Sequence, residues 1–375
     1  MNESCDVIII GGGVIGLTTA FYLAQSGATV TILERGEPGR EASWAGAGII
    51  PPGQPDRATS PIDRLRAESS QRFPHFSQML REQTGIDNGY RVTGGIEFLP
   101  ADQAEQLVKP WEEEGITYRR LSQPEAGQLE PELGRLPGLA YHLPEMAQVR
   151  NPRHLRALLA ACRLLGVRVR DYAEVTGLVV RGGRVHGVRV GDAILTSSTV
   201  LLAAGAWSRH LLEPLGVSLP VHPVRGQIVL LRPATPIIRH IILVGKHYLV
   251  PRDDGRVLVG STEEPEAGFE KRTTAQAIAD LLGLALKWVP GLQRASVEMS
   301  WAGLRPGSAD GLPYLGAVPP YTGLFVAAGH YRAGIQLSLA TGWHLSRLIR
   351  GQPAAELAAF RPDRPPTPMP SAFRS

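Results

Sequence analysis

Cysteine is scarce in this chain: Cys5 and Cys162 are the only two. Their separation gives no paired-thiol spacing, which excludes a disulfide framework and a thiolate metal site and implies a reducing compartment. Lysine is nearly missing as well (Lys109, Lys246, Lys271 and Lys287), and arginine carries the positive charge. Those arginines are scattered and the formal charge is only +4. The balance therefore argues against a nucleic-acid surface and leaves room only for a mild preference for anionic ligands. No apolar run approaches the length of a membrane span, and the first apolar segment has the acidic flanks of a strand and lacks those of a signal peptide. The expectation is a cytoplasmic protein. No internal repeat is visible. What is present is an ordinary globular composition, 43% hydrophobic and 20% charged over 375 residues, enough for about two domains.

The strongest local signal comes first. Cys5-Asp6-Val7-Ile8-Ile9-Ile10 runs into Gly11-Gly12-Gly13-Val14-Ile15-Gly16 and continues apolar through Leu23. This is a buried strand, a glycine turn and a helix start, the dinucleotide-binding fingerprint in its confirming context. Gly11 permits the tight turn, Gly13 lets backbone approach a pyrophosphate, and Gly16 lets helix pack on strand. The helix start offers free N–H groups and its positive dipole end to phosphate. A second apolar run, Thr29 to Leu33, ends in Glu34, close to the spacing of about 20 residues expected of a ribose-binding acid. The fingerprint announces a dinucleotide without saying which.

Downstream, Glu41 to Ile50 is dense in small residues, as a backbone lying flat against a ligand requires. Helical spacing covers 61–85, a strand 94–99, a helix 101–114, a strand 116–121, and a short helix starts at Pro124. Asn151-Pro152 reads as cap and first residue of an amphipathic helix. Strands follow near 167–169, 175–181 and 185–190 (with a Gly182-Gly183 hairpin turn), 193–196 and 199–204, the last ending in small residues before Gly205-Ala206-Trp207-Ser208. From Pro223 the pattern is antiparallel, with strands at 226–231, 237–244, 248–251 and 257–261, a helix at 273–287 and a strand at 296–301. A buried strand at 324–329 and a helix from Gly334 to about Arg350 close the ordered part, and a proline-rich tail from Arg361 to 375 is expected to be flexible. The alternation predicts an α/β protein of two domains. Nucleotide-binding segments fall at 1–88, 146–220 and 305–360, and an antiparallel-sheet substrate domain at 89–145 and 221–304.

Several of these segments carry a likeness. The chain resembles the D-amino-acid oxidase superfamily of flavoproteins, most closely the glycine oxidases of thiamin biosynthesis, over nearly its full length. The likeness rests on the fingerprint with Glu34, the Ser43 to Ile49 loop, Gly205 to Ser208 and Gly245-Lys246-His247-Tyr248-Leu249-Val250-Pro251-Arg252. It rests also on Val259-Gly260-Ser261-Thr262-Glu263-Glu264, Trp301 to Gly307 and Gly329-His330-Tyr331-Arg332-Ala333-Gly334-Ile335.

The resemblance implies a Rossmann-like FAD-binding domain and selects FAD for the fingerprint. It implies FAD contacts at Gly11, Gly13, Val14, Ile15, Gly16, Glu34, Arg35, Ala42, Ser43, Ala47, Gly48, Ile49, Val175, Gly205 and Trp207, and along His330, Tyr331, Arg332, Ala333, Gly334, Ile335 and Gln336. Arg305, Arg332 and Tyr248 become the catalytic-site residues. A guanidinium fork fits the planar carboxylate of an amino acid with two parallel hydrogen bonds. His330 suits a packed core position as well as a flavin contact, and Glu263 and Glu264 either line the entrance or face solvent, with solvent the preferred reading. The relatives that attach flavin covalently use a cysteine late in the chain. None follows Cys162, so FAD is expected to be non-covalent.

The implied activity is oxidative deamination of glycine or another small amino acid, with O₂ reduced to H₂O₂ and no metal. The imine product would hydrolyse to a 2-oxo acid or pass to a thiazole synthase. The alternatives are a D-amino-acid dehydrogenase working with a quinone or carrier protein, a sarcosine-type secondary-amine oxidase, and, from another class, a non-catalytic FAD-binding subunit. Relatives often associate, so a homo-oligomer is compatible with the resemblance.

Overall fold

In the computed structural model, which describes residues 5–365, the strand Val7–Ile10 lies near the middle of a six-stranded sheet. The strand order is Tyr314–Ala317, Leu324–Ala328, Val200–Leu202, Val7–Ile10, Val30–Leu33 and Arg168–Arg170. All neighbours run parallel except the Tyr314–Ala317 edge. Side chains alternate across this sheet because successive strand residues point to opposite faces. Ile9 and Ile32 meet the helices Val14–Gln25, Pro61–Thr84, Asn151–Leu164 and Gly334–Ile349. Ile8, Ile10 and Leu33 meet Val185 and Val188 of a three-stranded antiparallel sheet spanning Val175–Arg181, Arg184–Val190 and Ala193–Thr196.

An eight-stranded sheet forms the other layer, in the order Ser296–Ser308, Val221–Arg232, Val257–Gly260, His247–Pro251, Ile241–Val244, Gly95–Leu99, Leu139–Leu143 and Arg119–Leu121. One face is covered by the helix Ala275–Trp288 and a core of Ile96, Phe98, Val229, Leu249 and Val259. The opposite face turns toward the six-stranded sheet and carries the pocket described below.

Four local expectations change. Strand Ser296–Ser308 runs seven residues past the expected end at Trp301, because it pairs along its length with Val221–Arg232. Arg305 therefore stands in a strand, opposite Val224, and the expected domain boundary at 304/305 falls inside that strand. Ala42–Ala45 folds into a short helix where a flat loop was expected. Asn151 is the first helical residue, after Arg150 at the cap; its buried amide donates instead to the Ser43 carbonyl at 2.8 Å. The tail is anchored at Arg364, whose guanidinium donates to buried Asp310 at 2.8 and 2.9 Å and lies 3.9 Å from the Tyr314 ring centroid. Positions 366–375 of the expected flexible tail lie outside the described residues.

Candidate active site

The glycine turn is packed as its sequence requires. Gly11 has φ +108°, and a Cβ there would stand 2.4 Å from the Ala203 carbonyl oxygen; one at Gly16 would stand 2.0 Å from the Gly11 oxygen. At Gly13, by contrast, an added Cβ would meet only the Ser43 hydroxyl, at 3.3 Å, so this is the turn's open side. Ser43 Oγ accepts from Val14 N–H at 3.0 Å. Glu34 accepts from the N–H groups of Gly12 (2.8 Å) and Gly36 (3.1 Å), which fixes the acid beside the helix start. The N-cap residue, Gly13, has no side chain to cap the helix, and the Ser43 hydroxyl takes the Val14 N–H instead.

A cavity of about 470 Å³ opens at this turn. Gly11, Gly13, Val14, Ile15, Glu34, Arg35, Ala42, Ser43, Val175, Gly205 and Trp207 line it, and it continues past His330, Tyr331, Arg332, Gly334 and Ile335. Gly16 and Ala333 do not line it. Arg35 stacks on Trp207, its guanidinium carbon 3.6 Å from the ring centroid. His330 is buried; burial pushes its pKa down to about 3, so the ring is neutral. A second cavity of about 240 Å³ lies over the eight-stranded sheet, lined by Ala47, Gly48, Ile49, Tyr248 and Gln336. Ala42, Gly46, Arg305, Arg332 and Ile335 border both. The two cavities join at Arg305.

The small-residue segment between them is held from behind by three unrelated elements. The carbonyls of Ser43, Ala45 and Ala47 accept from Asn151 Nδ2 (2.8 Å), Trp301 Nε1 (3.0 Å) and Arg252 (2.7 Å). Arg252 also donates to Gln148 Oε1 and the Val149 carbonyl. Its burial lowers its pKa to about 10. These positioning roles carry no sequence-local signal, because each partner lies about a hundred or more residues away.

Arg305 and Tyr248 share one face of the sheet, the face of Trp301, Ile228 and Gly226. Their side chains lie where glycines leave room: an added Cβ on Gly226 would stand 2.1 Å from Arg305 Nη1, and one on Gly260 would stand 2.6 Å from the Tyr248 hydroxyl. Glycines inside strands mark such close approaches. Arg305 donates to Ser261 Oγ at 2.6 Å and to the Thr262 carbonyl at 3.2 Å. Burial pulls its pKa down, opposed by the neighbouring Tyr248 hydroxyl. Among the described residues its direct partners are neutral, so a largely buried cation faces the pocket without a counter-charge in contact. Arg332 is partly exposed and pairs with Glu263, with its guanidinium carbon 5.3 Å from the Tyr331 ring centroid.

Glu263 thus belongs to the pocket wall, and Glu264, expected to face solvent, is drawn into a network with Arg225, Gln227 and Thr262. The sequence gives no site role to Ser261, Thr262, Gly226 or Arg252, and offers Asn151 only as a helix cap. The strand glycines and the Ser-Thr-Glu-Glu run were the available signals. Among the described residues, no group of three His, Cys, Asp or Glu side chains is placed to hold a metal ion, and no helix is long and apolar enough to cross a membrane.

Comparison with known proteins agrees with this fold. The chain is 40% identical over 367 residues to a glycine oxidase of Pseudomonas putida, covering 96% of this chain and 99% of that one. A bifunctional protein ThiO/ThiG of Synechocystis is 35% identical across 97% of this chain, which spans 54% of that longer protein. The crystal structure of glycine oxidase from Geobacillus kaustophilus superimposes with a TM-score of 0.91 at 34% identity, covering 97% of this chain and 99% of that one. The DAO family model, described as FAD dependent oxidoreductase, matches residues 6–348. The chain belongs to the DAO family of FAD-dependent oxidoreductases.

Proposed function

We propose that the protein oxidises glycine or another small amino acid to its imine, with O₂ as the final acceptor and FAD held non-covalently. The observation that carries this reading is Arg305, a largely buried guanidinium in the wall shared by the two cavities, whose hydrogen-bond partners among the described residues are all neutral.

The residues present fit FAD. Glu34 and the open glycine turn at Gly13, where the helix begins, suit a ribose and a pyrophosphate. Trp207 and Arg35 line the larger cavity, and Gln336, in the wall of the smaller one, has a buried Nε2 without a hydrogen-bond partner among the described residues. Bound FAD would supply a two-electron acceptor that O₂ reoxidises, forming H₂O₂. Arg305 would hold the substrate carboxylate through its fork while the Tyr248 hydroxyl contacts the same group. Arg332, once released from Glu263, would offer a second guanidinium at the entrance. Ala47, Ile49 and Ile228 leave a small apolar space for the α-carbon. No general base is required if the amine enters neutral, so the contribution of these side chains is orientation. The helix from Gly334, uncapped by any side chain, would place its positive end toward developing negative charge.

The product imine hydrolyses to a 2-oxo acid and ammonia, or is handed to thiazole synthesis. The second outcome is favoured by relatives in which a similar chain is joined to ThiG. Anaerobic addition of glycine, sarcosine, D-alanine and D-proline to the yellow holoenzyme tests the reading. Bleaching by glycine or sarcosine, followed by peroxide formation on admitting air, is the expected result. A flavin that none of the four bleaches would overturn it, and reoxidation by a dye but not by O₂ would identify a dehydrogenase.

A further inference from the structure

We propose that Glu264 is a positioning residue for substrate-carboxylate binding, acting through the Ser261–Glu263 segment that meets both Arg305 and Arg332. The proposal rests on the functional reading above and deepens it.

The chain leaves the strand Val257–Gly260 and uses four consecutive residues in different directions. Ser261 Oγ and the Thr262 carbonyl accept from Arg305. Glu263 pairs with Arg332. Glu264 points away from the pocket, and its carboxylate accepts from Arg225 Nε (2.9 Å) and Nη2 (2.6 Å), Gln227 Nε2 (2.7 Å) and Thr262 Oγ1 (2.5 Å). Backbone bonds between Arg225 and Glu264, of 3.1 and 2.9 Å, pin its main chain to the neighbouring strand. Thr262 Oγ1 in turn accepts from Gln227 N–H at 2.9 Å.

The direction of these bonds matters. Arg225 and Gln227 Nε2 present only donors, and the Thr262 hydroxyl donates as well, so the position needs a group that accepts on both oxygens. Burial opposes the charge, but the hydrogen bonds from Thr262, Arg225 and Gln227 outweigh it and keep the carboxyl ionised. Fixing the Thr262 hydroxyl fixes the peptide whose carbonyl holds Arg305. The same short segment carries Glu263, so the placement of one guanidinium and the tether of the other share a single anchor. An amide at position 264 would turn an NH₂ donor toward donors and release that anchor.

Glu264→Gln, Thr262→Val and Thr262→Ser test this in the FAD-loaded protein. Acetate, titrated against the flavin spectrum, reports carboxylate binding without turnover. The expected result is about tenfold weaker acetate binding and a similarly raised amino-acid KM in Glu264→Gln and Thr262→Val. Meanwhile kcat should stay within about twofold, with FAD content and Tm near wild type, and Thr262→Ser, which keeps the hydroxyl, should behave as wild type. A purely structural role would lower Tm and FAD content together without this split. If Glu264→Gln does not fold, the two Thr262 variants decide. Unchanged acetate affinity in Thr262→Val, or equal loss in Thr262→Ser, overturns the proposal even where amino acids still bleach the flavin. Acetate weakening without bleaching by any amino acid would leave this proposal standing and overturn the amino-acid oxidase reading. Absence of acetate binding to the wild type overturns this proposal, while bleaching decides the functional reading separately.

Discussion

The guanidinium of Arg305 lies directly over the α-carbon of Gly226, so closely that a methyl group there would stand 2.1 Å from Nη1. The two residues sit on adjacent strands, offset by one pleat, since Arg305 pairs with Val224 and Gly226 with Gly303. Gly226→Ala should therefore expel the arginine from its place while leaving the distant glycine turn intact. The expected outcome is normal FAD content with a KM raised at least about tenfold. A kcat/KM equal to wild type would show that Arg305 does not need that space.

Removing the guanidinium itself gives a graded series. Arg305→Ala should cost about 2–5 kcal/mol of substrate binding, the usual consequence of deleting one partner of a desolvated charge pair. Arg305→Lys keeps the charge but loses the fork, so it should recover only part of that loss. Steady-state kinetics on the best amino-acid substrate measure both, and a lysine variant as active as wild type would remove the bidentate assignment.

FAD should come free when the holoenzyme is precipitated with acid. Cys162 is buried, its thiol contacts the Leu17 carbonyl at 3.3 Å, and burial raises its pKa to about 12. Such a thiol is no nucleophile. Cys5 lines neither of the two joined cavities. Yellow colour that stays with the pellet would contradict non-covalent binding.

Glu97 predicts a pH dependence of stability. It stands on the pocket-facing side of the eight-stranded sheet, paired with Leu243, which in turn pairs with Tyr248. Burial raises its pKa from 4.5 to about 7. The folded state therefore holds this proton more tightly than the unfolded chain, and the stability it contributes below pH 4.5 is lost as pH rises through 7. Glu97→Gln removes the titration. Relative to wild type it should gain on the order of 2–3 kcal/mol at pH 8 and little at pH 4, read from denaturant unfolding at the two pH values. An equal effect at both would rule out the buried carboxyl as the cause.

The fingerprint from Val7 to Gly16 and its acid Glu34 were legible because they are local. Neighbouring residues alone fix a strand, a tight turn and a helix start, and only glycine survives the contacts at Gly11 and Gly16. Hydrophobic periodicity likewise located most elements, from Pro61–Thr84 to Gly334–Ile349. Asn151 was misread because a capping residue type before proline is a local cue, and a contact with Ser43, 108 positions away, outweighed it. The network around Glu264 was not legible for the same reason, since its partners Arg225 and Gln227 arrive from another strand.

The sequence by itself thus determined the strand, glycine turn and helix start of the fingerprint, whose geometry is written in consecutive residues. Only the tertiary structure decided the pocket. Register across four strands sets Tyr248 over Gly260 and Arg305 over Gly226, and hydrogen bonds between segments far apart in the chain decide which guanidinium meets a carboxylate, as Arg332 does, and which meets only neutral acceptors among the described residues, as Arg305 does.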